Sequence, residues 1–175
     1  MSVFSHAPHH GATDVWLTPP QILQAVGPFD IDPCAAPEPR PWPTAARHYD
    51  ITRGEDGLVL PWSGLVFLNP PFSDAQKWLE KLAAHEGGGI ALLLARTETA
   101  WWFKTVWDHY SGAMFLRGRL HFHRPDGSRA PMNCGAPPVL VAYRDEALRR
   151  LASSELDGHL VIKNQSLREV GGRLL

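Results

Sequence analysis

The sequence predicts an α/β fold: a mostly parallel, twisted sheet with helices on both faces and an antiparallel hairpin near the C-terminus. Residues 64–68 (Gly-Leu-Val-Phe-Leu) and 90–95 (Ile-Ala-Leu-Leu-Leu-Ala) are unbroken apolar runs of strand length, as expected for strands buried on both faces. Each precedes a stretch of helical spacing, with Trp78, Leu79 and Leu82 in the first and Trp101, Trp102, Phe103 and Trp107 in the second. Strand-then-helix, repeated, is the pattern of parallel crossover units.

The remaining elements follow in chain order. Residues 1–13 show no periodicity and read as a flexible tail, and residues 14–175 read as a single domain. Thr18 is a suitable N-cap and Pro19 a suitable first residue for a short helix that stops at Gly27. Residues 29–31 form a brief strand. Six prolines between Pro28 and Pro43 then forbid a long helix or central strand, which leaves a long loop, a kind of segment that is often functional. Ser73 caps the helix that runs to about His85, and Gly87, Gly88 and Gly89 end it. Residues 113–116, 120–122 and 139–143 read as further strands, and the stretch from Glu98 to Tyr110 as a helix.

Composition narrows the function classes. The chain has 175 residues, 44% hydrophobic and 20% charged, which excludes a disordered composition and suits one domain with a real core. No run of about 18 apolar residues predicts a membrane span, and the N-terminus has no apolar stretch of the secretory kind. Two cysteines, Cys34 and Cys134, are too few for a disulfide scaffold. The expectation is a soluble intracellular protein. A net charge of -1 argues against binding nucleic acid by bulk electrostatics and leaves only a local basic patch for that role.

Two unusual segments sit where strands end, the place where ligands bind in open α/β sheets. One is Asp30-Ile31-Asp32-Pro33-Cys34-Ala35; the other is Asn69-Pro70-Pro71-Phe72. A proline has a carbonyl but no N–H, and it holds the residue before it extended. Asn-Pro-Pro-Phe is therefore a stiff stub offering an amide oxygen, one or two free carbonyls and a ring. Two acceptors beside an aromatic face suit a planar ligand with an amino group: they take both N–H bonds, free the nitrogen lone pair, and let the ring stack. The plainer reading is a proline turn with a core phenylalanine. Its position after an apolar strand and before a capped helix favours the functional one.

In its sequence context, Asn69-Pro70-Pro71-Phe72 resembles the catalytic motif of amino-methyltransferases that use S-adenosylmethionine. The surroundings resemble the small phage-encoded DNA adenine (N-6) methyltransferase family. The matching pieces are Trp16-Leu17-Thr18-Pro19, Phe29-Asp30-Ile31-Asp32-Pro33-Cys34-Ala35, Asp56-Gly57-Leu58 and the run from Trp62 to Phe72. They continue with Leu94-Ala95-Arg96-Thr97-Glu98-Thr99, Trp101-Trp102-Phe103 and Phe115-Leu116-Arg117-Gly118-Arg119-Leu120-His121-Phe122. The resemblance spans roughly Trp16 to Tyr143. It implies a Rossmann-like S-adenosylmethionine-dependent methyltransferase fold acting on double-stranded DNA, as a monomer or weak homodimer. The implied setting is the cytoplasm of a bacterial host, with a phage or prophage gene serving anti-restriction or regulation.

The resemblance also assigns residues. Asn69 and Pro70 would accept the adenine amine, with Pro71 and Phe72 completing the catalytic motif and Phe72 stacking on the flipped base. Trp16, Thr18, Asp32, Pro33, Cys34, Asp56, Leu58 and Asn69 would bind the cofactor. The segment after the first strand lacks the glycines that many methyltransferases carry there. Each supporting residue has a plainer alternative: Asp32 as a turn cap, Asp56 as a turn residue, Trp16 and the Trp101–Trp107 cluster as core. Arg117, Arg119, Arg124 and Arg129, with His121 and His123 against the single acid Asp126, form the candidate DNA-binding patch or else a solvated hairpin. His121, His123 and Cys134 do not complete a four-ligand set, so no metal is expected. Cytosine N-4, RNA or protein glutamine remain alternative substrates, and an inactive DNA-binding protein of the same fold remains an alternative of another class.

Overall fold

The computed structural model describes residues 15–164. The tail expected at residues 1–13 lies outside them, as do residues 165–175. Seven strands join one sheet: β1 (Ile31–Asp32), β2 (Arg47–His48), β3 (Val66–Leu68), β4 (Gly89–Leu94), β5 (Gly112–Leu116), β6 (Pro138–Tyr143) and β7 (Gly158–Ile162), in the spatial order β2-β1-β3-β4-β6-β5-β7. Four helices accompany them: α1 (Pro20–Val26), α2 (Ala75–Ala84), α3 (Ala100–Trp102, continued by a π-helical turn over Phe103–Trp107) and α4 (Asp145–Ala152).

Alternation along the strands builds two cores. Phe67, Ile90, Leu92, Leu140 and Ala142 point to one face, where Ile22, Leu23 and Val26 of α1 and Ala147 and Leu151 of α4 cover them. Val66, Leu68, Ala91, Leu93, Val139 and Val141 point to the other, under Trp78, Leu79 and Leu82 of α2 and Trp102 and Val106 of the α3 region. Helices on both faces are thus observed. Tyr143, fully buried, donates its hydroxyl to the Thr105 carbonyl at 2.9 Å, so its polar end costs little.

Several expectations are corrected. The sheet is parallel only across β2-β1-β3-β4; β6 is antiparallel to β4 and β5, and β7 is antiparallel to β5. Buried apolar strands read alike in either direction, so the run in β6 carried no sign of its sense. Residues 120–122 are not a strand of the sheet. Gly118, at φ +76°, turns the chain off the end of β5, and Leu120 and Phe122 instead accept from Cys134 and Ala130 N–H groups in an irregular excursion. The hairpin expected there is a short turn, in which Arg124 N–H donates to the Ser128 carbonyl and His123 bridges Arg129. Pro19, not Thr18, is the N-cap of α1, because Pro20 holds the residue before it at ψ 134°. Asp74, not Ser73, occupies that position in α2, with no side-chain cap. The helix expected up to Tyr110 widens into a π turn, with Asp108 N–H donating to the Phe103 carbonyl.

Candidate active site

From β1 the sheet grows both ways, to β2 on one side and β3 on the other. The loops leaving β1 and β3 diverge at this switch point and leave a crevice between them. It holds a cavity of about 370 Å³ lined by Trp16, Pro33, Cys34, Asp56, Leu58, Asn69, Pro70, Pro71 and Phe72 among others. Four segments far apart in sequence, all singled out above, therefore converge. Trp78 on α2 and Ile51 add apolar walls, and Glu55 adds a second carboxylate beside Asp56.

Asn69 follows directly on β3. Its Nδ2 donates to the Trp16 carbonyl at 3.1 Å. A carbonyl can only accept, so this bond fixes the amide orientation and leaves Oδ1 as the unengaged acceptor of a residue that lines the cavity. The Pro71 carbonyl accepts from Asp74 N–H at 3.1 Å and belongs to the turn into α2. Pro70, buried, keeps its carbonyl outside that turn. Phe72 is 50% exposed, an aromatic face left partly in water. Trp16 is held from the other side: its neighbour Leu17 exchanges two backbone bonds with His123, at 2.9 and 3.0 Å.

Asp32 and Thr18 do not line the large cavity. They line a pit of about 30 Å³ behind it, shared with Trp16, Cys34 and Asn69. Asp32 is buried, accepting from Cys34 N–H at 3.1 Å and from the Thr44 hydroxyl at 2.5 Å. The turn-capping role is therefore present, and Asp32 shapes the cavity loop from beneath. Burial pushes its carboxyl up to about 6, against the opposing pull of those hydrogen bonds and of the nearby Arg40. Between about pH 4 and 6 the folded chain keeps a proton that the unfolded chain has released, so this group's contribution to stability is lost as pH rises through that window. Asp32→Asn, which can bond like the protonated acid, is expected to remove that dependence. In urea melts from pH 4 to 8, wild type should lose about 2–3 kcal/mol relative to the variant across the window. Parallel curves would refute the assignment.

Cys34 donates its thiol to the Asn69 carbonyl at 3.4 Å. Burial, reinforced by Asp32, pushes the thiol well above its usual range, which favours the neutral thiol over the thiolate. Thr18 Oγ1 is buried with no partner, while the Thr18 carbonyl accepts from Trp42 Nε1 at 3.1 Å.

The Asp56-Gly57-Leu58 turn is fixed twice over. Asp56 Oδ1 accepts from Leu58 N–H at 2.9 Å. Lys81 of α2 donates to the Gly57, Leu58 and Leu60 carbonyls at 2.9, 3.0 and 2.6 Å, and its ammonium lies 4.9 Å from the Trp62 ring centroid. Trp62 Nε1 donates to the Gly57 carbonyl at 2.7 Å. Gly57 itself lies so close to the β1 loop that a Cβ there would come within 1.9 Å of the Pro33 carbonyl oxygen. Sequence reasoning missed Lys81, although its position three residues after Trp78 puts both on one helix face.

A second cavity of about 190 Å³ adjoins the first and shares Trp16 and Phe72 with it. Leu94, Phe122 and the segment from Ala130 to Gly135 complete its lining. Arg119 donates to the Cys134 carbonyl at 3.1 Å, and Arg129 precedes Ala130, so both stand beside this cavity. Arg124 is exposed at the turn whose Gly127 packs on Pro41 and Trp42 of the proline-rich loop. Arg117 instead pairs with Asp157 at 2.9 Å, both side chains mostly exposed. Trp101, Trp102, Phe103 and Trp107 line neither cavity; Trp102 is core and Phe103 is exposed. Among the described residues, no group of three or more His, Cys, Asp or Glu is placed to hold a metal ion, and no helix is long and apolar enough to cross a membrane.

No curated protein matches the chain. The family model described as DNA N-6-adenine-methyltransferase (Dam) matches residues 5–164, which span every segment of the site just described. With the α/β sheet consistent with a methyltransferase-like fold and the matched region covering nearly all of the sequence, the chain belongs to the DNA N-6-adenine-methyltransferase (Dam) family.

Proposed function

We propose that the chain moves a methyl group from S-adenosylmethionine to the N-6 amine of an adenine flipped out of double-stranded DNA. It would do so within one Rossmann-like domain over residues 14–175, as a monomer or weak homodimer. The observation that carries this reading is the position of Asn69-Pro70-Pro71-Phe72 against the large cavity, with Phe72 and Trp16 also walling the small one. A cofactor on one side and a base on the other would meet at these residues.

The large cavity fits the cofactor by size and donor set. Its volume falls within the range of about 300–1,000 Å³ usual for small-molecule sites. Pro33, Leu58 and Trp16 offer apolar surface to an adenosyl group, and Asp56 with Glu55 offers carboxylates to hydroxyl or ammonium groups. When bound, S-adenosylmethionine would supply an electrophilic methyl carbon on positive sulfur, which can leave with the bonding pair as a neutral thioether. Asn69 Oδ1 and the Pro70 carbonyl accept the two adenine N–H bonds, which draws the nitrogen lone pair out of the ring and aims it. Phe72 stacks on the base. The surplus proton leaves the methylated nitrogen to water. Cys34 stays a thiol and takes no part, since a neutral amine held in line needs positioning rather than covalent help.

Arg119, Arg124 and Arg129, with Arg117 further along, supply the phosphate contacts that the chain's net charge of -1 cannot. The proline-rich loop and the turn after Arg124 form one continuous surface through Gly127 and Trp42, which suits sequence readout without a separate domain. A bacterial cytoplasm and a phage or prophage gene rest on the resemblance of the motifs alone.

The test is direct. Plasmid from a methylation-free host is incubated with the purified chain and tritiated S-adenosylmethionine, and modified bases are mapped by single-molecule sequencing. N-6-methyladenine at one recurring sequence is the expected result. Label on cytosine N-4, RNA or protein instead would overturn the substrate assignment. No cofactor binding by calorimetry would favour an inactive DNA-binding protein.

A further inference from the structure

We propose that Met132 is the wedge that enters the duplex where the target adenine leaves it. The inference rests on the base-flipping reading above and adds the group that performs the extrusion. Met132 is 80% exposed, the most exposed large hydrophobic side chain among the described residues. A single exposed apolar residue is ordinary; this one lines the 190 Å³ cavity together with Phe72, Leu94 and Phe122.

Its mounting is rigid. The Ala130 N–H donates to the Phe122 carbonyl and the Cys134 N–H to the Leu120 carbonyl, both at 2.8 Å. The Ala130 and Cys134 carbonyls are taken by His121 and Arg119, at 3.0 and 3.1 Å, and the Cys134 thiol reaches the Ala136 carbonyl at 3.2 Å. Only Pro131, Met132 and Asn133 project between these anchors, and Pro131 has a fixed φ. A side chain that must hold two base pairs apart needs such a base.

The surroundings select DNA as the occupant. Arg119 and Arg129 flank the projection at its two ends, with Arg124 beyond, so phosphates drawn to them would bring a duplex over the cavity mouth. Apolar side chains, Met among them, are inserted between base steps by proteins that unstack DNA. The unbranched thioether of Met132 can slide into such a gap and occupy the place that the base gives up. The cavity would then receive the base and the wedge would stop its return.

The experiment uses the full chain and duplex oligonucleotides carrying the mapped target site, with the target adenine opposite thymine or opposite an abasic position. Single-turnover methylation by Met132→Ala should fall about tenfold or more on the paired target, and return to within about threefold of wild type on the unpaired one, where little extrusion work remains. Met132→Leu should keep most of the activity on both. A Met132→Ala variant as fast as wild type on the paired target, or equally slow on both duplexes, would overturn the wedge. Wild type that methylates adenine in neither duplex would overturn the parent reading and the wedge with it, an outcome distinct from either of those.

Discussion

Asn69→Ala is expected to lower the single-turnover rate of methyl transfer by about a hundred- to a thousandfold, while the Kd for S-adenosylmethionine stays within a fewfold of wild type. In the proposed reaction the change removes one of two acceptors for the amine, and losing one preorganised hydrogen-bonding group at a reacting centre has about that cost. It also removes the 3.1 Å bond to the Trp16 carbonyl, which fixes the amide. Binding should survive because Trp16 keeps its other anchor, the paired backbone bonds between Leu17 and His123, and because Pro33, Cys34, Asp56 and Leu58 are untouched. Rapid-quench assays and calorimetry separate the two quantities. Normal turnover in the variant would show that Asn69 is not part of the chemistry.

Gly57→Ala is expected to have the largest effect of any small substitution on the cavity of about 370 Å³. The new methyl would meet the Pro33 carbonyl oxygen at 1.9 Å, its carbon at 2.8 Å and the Trp78 ring at 3.0 Å. Two of the three atoms are backbone of the β1 loop, so relief requires that the two segments part. Overpacking of this kind destabilises by about 1–3 kcal/mol. Because the parted segments carry Pro33, Asp56 and Leu58, the same displacement should weaken S-adenosylmethionine binding by about ten- to a hundredfold. Gly135→Ala, at a position where the added carbon meets nothing within 4 Å, is the matched control and should leave both thermal midpoint and affinity unchanged. Wild-type affinity in the Gly57 variant would mean that the Asp56 turn does not bear on the cofactor.

The two substitutions illustrate what was legible in the residues and what was not. Asn69-Pro70-Pro71-Phe72 could be read directly, because proline stiffness, a free carbonyl and an aromatic ring are local properties that do not depend on the fold around them. The β1 loop and the Asp56 turn were legible as pieces. Their contact through Gly57 was not, since nothing in a turn of Asp, Gly and Leu says which backbone it touches. Nothing local sets Lys81 apart from other charges on a helix, and only its three carbonyl partners reveal it as the clamp on that turn.

Asp32 is the clearest case of a residue whose placement redefines it. A carboxylate before Pro33 suits a ligand contact or a turn cap equally well in sequence. Its burial behind Cys34 and Asn69 makes it the cap, with a carboxyl near 6 that no reading of neighbours could supply. Arg117 and Arg119, two residues apart, likewise divide: one pairs with Asp157 just before β7 while the other braces the Cys134 carbonyl beside the second cavity.

By itself the sequence determined the α/β alternation, the two-sided helical cover and the stiff Asn-Pro-Pro-Phe stub, because burial periodicity and proline geometry are written into neighbouring residues. Only the tertiary structure decided the sense of β6, the two adjoining cavities and the exposed Met132 that lines the second. Strand direction, shared walls and exposure depend on contacts between residues distant in the chain, and a local pattern does not specify its distant partner.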